Sequence, residues 1–278
     1  MSEINHQYFI PALISFTLFP STVFWSSGIL KESVAVFCLC ILISVFLHYF
    51  LYKKIKPVEL FICIFLIWVY WNIKYYLCAV LIITIVSVAL TDIILNKYQW
   101  KKRLLLLCSI NVLLFIIGSF IHPNFSLHKI ISVLHDNHIK IIAISNQRNL
   151  VPFIHLKIPF YSFLINIPVS LFAGLFMPLP FQGNGLIAIA PGIINLFVLF
   201  ATMALIYKGI ILIGGRLRLL VYGLLLYISI LAIVLTYSTP NYGTLERYKS
   251  GYLPLFIFII LAGLWPLIGR EGKLMKIN

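Results

Sequence analysis

Charge is what this sequence has least of. Only 10% of its 278 residues are charged, and only seven are acidic. A soluble globular domain carries about 25% charged residues. With 62% of the chain hydrophobic, the shortage excludes a soluble enzyme, a nucleic-acid-reading domain and a disordered tail. Cysteine is also sparse. The five, Cys38, Cys40, Cys63, Cys78 and Cys108, all lie inside apolar runs. No CxxC pair and no HExxH motif occurs, so neither a disulfide framework nor a metal site is indicated. No cofactor motif is present. A cleavable leader is not expected either: Met1–Gln7 holds Glu3 and no Lys or Arg, and Pro11 interrupts the first apolar run.

What the chain does have is long apolar stretches. A helix needs about 20 apolar residues to cross a bilayer. Eight stretches reach or approach that length: Phe9–Phe24, Leu30–Leu51, Val58–Ile73, Tyr76–Leu95, Leu104–Ile121, Ala188–Tyr207, Leu219–Tyr237 and Tyr252–Leu267. A ninth, Phe163–Phe181, is broken by Pro168, Pro178 and Pro180. The net charge of +14 is explained by four basic clusters, Lys53–Lys56, Lys97–Arg103, Lys208–Arg218 and Arg270–Lys276, which hold 13 of the 21 Lys and Arg. Basic residues beside spans stay on the cytoplasmic side. All four clusters fall inside only if Phe163–Phe181 does not cross, and a broken helix at membrane depth is tolerated where protein buries it. The expected fold is therefore an all-α, polytopic transmembrane helix bundle of about eight spans plus one re-entrant or interfacial segment. It forms one integral domain over residues 1–278. The expected location is multi-pass in the cytoplasmic (inner) membrane, with the lipid bilayer as partner, both termini cytoplasmic and no nucleic acid bound.

This topology collects the unusual polar residues on the outer side. The first outer turn is Trp25-Ser26-Ser27-Gly28-Ile29-Leu30-Lys31-Glu32, where a carboxylate in the first turn of a helix is favoured by the helix dipole. The second contains Lys74. The last, Ser238–Gly251, packs Glu246, Arg247, Tyr248 and Lys249 together. Arginine suits bidentate phosphate or carboxylate binding. The third outer loop, residues 122–161, holds five of the seven histidines: His122, His128, His135, His138 and His155. Its Leu127, Ile130, Ile131 and Leu134 repeat with helical period, which predicts an amphipathic helix on the bundle or the bilayer surface. Asn124-Phe125-Ser126 is a glycosylation sequon that matters only in a eukaryotic secretory setting. No charge falls at an expected bilayer midplane, which argues against a proton-relay or ion-coupled transporter. The amides Asn111, Asn166 and Asn195 are too few for a hydrophilic path.

Three segments carry a family resemblance. They are Phe24–Ser33 following Pro20-Ser21, Ile167-Pro168 through to Met177-Pro178, and Asn241–Lys249 followed by Leu253-Pro254. Together they resemble multi-spanning bacterial proteins of surface-polysaccharide assembly, the O-antigen polymerases and the C-type membrane glycosyltransferases. The family's Arg-Pro step is here Met177-Pro178, and its acidic pair in the first outer loop is here Glu32 alone. The resemblance implies a polyprenyl-linked saccharide as substrate, handled at the outer face, with polysaccharide-assembly proteins as partners. It singles out Lys31, Glu32 and Arg247. The expected function is transfer or polymerisation of sugars from the polyprenyl-phosphate carrier, with Glu32 and Arg247 catalytic and Lys31, Lys74, Glu246, Tyr248 and Lys249 binding substrate. Two alternatives stand beside it: a non-catalytic membrane subunit of such a pathway, and a flippase or transporter of lipid-linked saccharide.

Overall fold

The computed structural model describes residues 2–28, 30–95, 99–121, 125–154, 158–183, 189–207 and 215–268. His122, His155, Asn124 of the sequon, Lys97, Lys208, Arg270, Lys273 and Lys276 lie outside them. The described chain is all helical: α1 (Ser2–Leu13), α2 (Pro20–Ser26), α3 (Lys31–Tyr52), α4 (Pro57–Ile94), α5 (Trp100–Ile121), α6 (Leu127–Ile144), α7 (Pro159–Ile165), α8 (Ile167–Phe176), α9 (Ile189–Tyr207), α10 (Gly215–Ser238), α11 (Tyr242–Lys249) and α12 (Leu253–Ile268). Five of these helices are long and apolar enough to cross a membrane, and up to eight spans result if each bent pair counts as one.

Prolines make the bent pairs. Pro20 opens α2 and bars Phe19 from the helical region (ψ 123°). The stretch expected as one span, Phe9–Phe24, is thus two helices bent by 50°. Asn166 and Pro168 break α7 from α8 by 57°. Asn166 is fully buried, and its amide bonds both the N–H (2.9 Å) and the carbonyl (2.7 Å) of Ile154. It thereby ties the loop before α7 to the break, and its Nδ2 also donates to the Ser162 carbonyl at 2.8 Å, one of the backbone groups at the break itself. The third pair, Tyr242–Lys249 with Leu253–Trp265, is bent by 66°. Its short first helix is started by Asn241, whose side chain accepts from the N–H groups of Gly243 and Thr244.

α4 is folded rather than straight. As one rod its 38 residues would run about 57 Å. Three side-chain contacts show that it cannot. Glu59 meets His48 near the C-terminal end of α3, at 3.3 Å. Lys74 meets Glu32 at the N-terminal end of α3, and Asp92 meets Lys53 just past the C-terminal end again. The chain therefore runs along α3 and back. Its turn is Lys74, whose backbone is non-helical (φ −146°, ψ 68°). The two arms correspond to the expected stretches Val58–Ile73 and Tyr76–Leu95.

The bundle closes around Cys38, Leu39, Tyr70, Leu77, Cys78, Leu81, Tyr227, Ile228 and Leu231. All five cysteines are free; Cys38 and Cys78 are buried and Cys108 is exposed. α8 packs hard against α10 at Gly174, where a Cβ would sit 2.7 Å from the Ala232 carbonyl oxygen. α6 is amphipathic as expected but longer than its four-residue pattern. Its buried Ile131, Leu134 and His138 share one face, which rests on α10 and α7.

Candidate functional site

The bundle has two polar ends. At one, Asp92 is 2% exposed and takes Lys53 (2.8 Å) and Arg103 (3.0 Å), joining the ends of α3, α4 and the start of α5. Among the described residues, this end also bears Lys54, Lys56, Lys101, Lys102 and Arg218 of the basic clusters. At the other end lie the N-terminus of α3, the turn of α4, the C-terminus of α8 and all of α11.

There the residues separated in sequence come together. Glu32 is 5% exposed. Its Oε1 accepts a hydrogen bond from Lys74 Nζ at 3.0 Å and lies 3.3 Å from Arg247 Nε. The Arg247 contact is an ion pair by distance only, because that N–H has no hydrogen-bond alignment. Tyr248 completes the group. Lys74 Nζ stands 4.2 Å from its ring centroid, and the Arg247 guanidinium stands 5.1 Å from it. Each such cation–π contact contributes on the order of 1 kcal/mol. Tyr76 presents a second ring to Lys74 at 5.9 Å. Two cations face one carboxylate, so the group is net positive, and the Arg247 side chain is 40% exposed. Positive charge thus reaches the surface through Arg247.

Next to it is a buried group that shares α11. Glu246 Oε1 accepts from Lys249 Nζ at 2.7 Å and from Asn195 Nδ2 at 3.0 Å, and its Oε2 accepts from Ser21 Oγ at 3.3 Å. Lys249 also donates to the Met177 carbonyl, and Asn195 donates to the Pro178 carbonyl at 3.1 Å. The Lys249 side chain is fully buried. Glu246 and Lys249, expected to touch substrate, are instead engaged with each other and with α2, α8 and α9. As arranged, they hold α11 against the bundle.

No family model matches the chain, and neither a curated protein nor a solved structure matches it. The chemistry has to follow from the site's own atoms.

Of the seven residues expected from sequence, Glu32, Lys74, Arg247 and Tyr248 meet directly, and Glu246 and Lys249 form the adjoining pair. Lys31 opens α3 beside them, exposed and without a hydrogen-bond or ion-pair partner among the described residues. Three participants were not anticipated: Ser21, Asn195 and Tyr76. Asn195 did carry a signal, a lone amide in an apolar span, which has to find a partner inside the bundle. The loop histidines go elsewhere. His138 contacts the Tyr237 carbonyl through Nδ1, and His135 Nδ1 lies 3.1 Å from the Tyr237 hydroxyl, which donates to Ser162 Oγ at 3.0 Å. A carbonyl can only accept, so His138 Nδ1 carries the proton. Burial pushes the His138 imidazole below its ordinary value, helped by the charge of His135 and opposed by the Tyr237 bond.

Proposed function

We propose that the chain transfers or polymerises sugars from a polyprenyl-phosphate-linked carrier, at the end of the bundle where Glu32, Lys74 and Arg247 meet. The observation that carries this is the net positive, partly exposed group built by α3, α4 and α11, with Tyr76 and Tyr248 beside it. The three segments that resemble polysaccharide-assembly proteins also supply its parts: Ser21 and Glu32 from the first, the Met177 and Pro178 carbonyls from the second, Glu246 to Lys249 from the third.

A diphosphate carries several negative charges and would compete with Glu32 for Arg247 and Lys74. Arg247, the exposed cation, meets the diphosphate first, and Lys31 adds a second charge from the start of α3. Glu32 held by two cations is a poor base. Once phosphate oxygens draw Arg247 away, the carboxylate regains basicity. In the step itself an acceptor hydroxyl oxygen attacks the anomeric carbon. The bond from that carbon to the carrier diphosphate breaks, the diphosphate leaves with the electron pair, and Glu32 takes the hydroxyl proton. Arg247 and Lys74 offset the charge that grows on the leaving diphosphate. Tyr248 and Tyr76 offer faces on which a sugar ring can stack. Lys249 and Glu246 keep α11 in register for this. The orientation that goes with the proposal puts this end outside the cytoplasmic membrane and the basic end and both termini inside, with Pro159–Phe176 re-entrant.

Arg247→Ala and Arg247→Lys test it, expressed in a host lacking its own copy, with surface polysaccharide resolved by gel. Arg247→Ala is expected to abolish or shorten the polymer, and Arg247→Lys to restore part of it. An unchanged length profile at normal protein level would remove the assignment and leave a non-catalytic subunit.

A further inference from the structure

The proposed chemistry needs α11 in place but does not use the segment that holds its first residues. That segment follows α6. Asn241 Nδ2 donates to Ser145 Oγ at 3.0 Å, the Val151 N–H donates to the Pro240 carbonyl at 2.9 Å, and Leu150 and Asn241 form a short antiparallel bridge. Val151 is buried together with Tyr242 and Leu245 of α11, and Phe153 packs against them. Asn241 is also the residue that caps α11. α6 and residues 145–153 thus form a strap across the α10–α11 corner.

The strap is fastened to α10 through a titratable group. His138 is fully buried. Its Nδ1–H donates to the Tyr237 carbonyl, its ring stacks on the Tyr237 ring at 5.0 Å, and Phe153 meets it edge-on at 5.0 Å. Its Nε2 has no hydrogen-bond partner. In the neutral ring that nitrogen is a bare acceptor among apolar groups. Protonated, it becomes a charged donor with nothing to donate to, and an unpaired buried charge costs far more than an unpaired neutral group.

The surroundings offer that charge no relief. His135, one turn earlier on α6, lies 3.1 Å from the Tyr237 hydroxyl, and its charge opposes a second imidazolium. Among the described residues, α10 and α7 bring neutral groups, the Tyr237 hydroxyl and Ser162 Oγ, and α11 brings Tyr242. Asp136 and Lys140 are exposed on the outer side of α6, and Arg148 is exposed on the strap.

We infer that His138 is a positioning residue for α11: neutral, it latches the strap to α10, and a proton taken from solvent at Nε2 releases the strap and frees the α10–α11 corner. Opening lets water reach Nε2, so the open form takes the proton that the closed form resists. The latch is complete above about pH 6.5, the ordinary value of an exposed imidazole. It is lost as pH falls below that, toward the depressed folded value. The inference concerns where α11 sits and does not depend on the sugar chemistry.

Hydrogen–deuterium exchange of the full chain in phosphatidylcholine nanodiscs gives the test, with rates corrected for the intrinsic pH dependence of amide exchange. Residues 145–153 and 238–245 are expected to lose protection together below about pH 6.5, by up to about ten-fold per pH unit, the limit for one linked proton. The buried α4 arm, residues 77–88, is expected to stay protected. His138→Asn keeps a side-chain N–H for the Tyr237 carbonyl and does not titrate, so its profile is expected to be flat. Ser145→Ala removes a strap bond and no titratable group. It is expected to raise exchange of residues 238–245 at neutral pH and to keep the acid slope, which tests the strap even if His138→Asn does not fold. A flat wild-type profile, or the same acid loss in His138→Asn, would overturn the proposal. So would acid loss in 145–153 with 238–245 still protected, unchanged exchange in Ser145→Ala, or an equal loss in the α4 arm, which would mean general unfolding.

Discussion

Lys249→Met is the substitution whose consequence the geometry fixes most narrowly. Methionine keeps the length and apolar stem of the side chain and removes the ammonium. The lysine is fully buried, and its partner Glu246 is 10% exposed. After the change Glu246 keeps only two neutral donors, Asn195 Nδ2 and Ser21 Oγ, and the Met177 carbonyl loses its donor. Removing one partner of a buried pair costs about 3–5 kcal/mol, because the other charge is left uncompensated. Glu246→Gln alone strands the ammonium and costs about as much by the same principle. In the double variant no charge is buried. The glutamine still accepts from Asn195, and the remaining loss is the Met177 bond, about 1–3 kcal/mol. The double variant is therefore expected to be more stable than either single one, a strong departure from additivity. Unfolding free energies in micelles, by steric trapping or denaturant, give the cycle directly. Additive costs, or a Lys249→Met cost below about 1 kcal/mol, would refute the claim that this pair is buried and mutually dependent.

Further expectations follow from other contacts. Gly174→Val should cost about 1–3 kcal/mol by overpacking, since its Cβ meets backbone of α10 at 2.7 Å; an unchanged unfolding temperature would contradict that approach. Asn166→Leu should cost about 1–3 kcal/mol, seen as increased proteolysis near Ile154, because it removes the bonds to both backbone groups of that residue and leaves the buried Ser162 carbonyl without the Asn166 donor. His138 gives a pH dependence. Its folded value is depressed, so the unfolded chain, titrating near about 6.5, binds the proton more readily. Its contribution is complete above that pH and is lost as pH falls below it, toward the depressed folded value. His138→Asn should flatten the decline in unfolding temperature over that window.

The sequence made the helices and much of the site readable, for different reasons. Apolar runs of membrane length are unambiguous, so each expected stretch meets a helix. Where helices end is a local matter of proline and caps, and those misled at one point: Pro20 splits Phe9–Phe24, because a residue preceding proline is kept out of the helical region. The turn at Lys74 was legible because a lysine between two apolar arms has to reach polar company. Glu32, Lys74 and Arg247 could be placed at the same end by counting spans. That Arg247 is half open while Lys249, two positions on, is sealed could not be read. It depends on which face of α11 meets α8 and α9, and an eight-residue helix with Tyr, Glu, Arg and Lys around it has no apolar stripe to decide that. Asn195, Ser21 and the Met177 carbonyl enter for the same reason: they are fixed by packing between distant segments, not by spacing.

Everything proposed for the site requires that α3's start, the turn of α4 and α11 face one compartment, away from the Lys53 loop. Single cysteines at the exposed positions Ser27, Gly243 and Lys54, each in a chain whose five native cysteines are alanine, decide it by reaction with a membrane-impermeant maleimide in intact cells. Labelling of the Ser27→Cys and Gly243→Cys chains with protection of Lys54→Cys is the expected pattern. Labelling of only one of the first two, or of all three alike, would contradict the account.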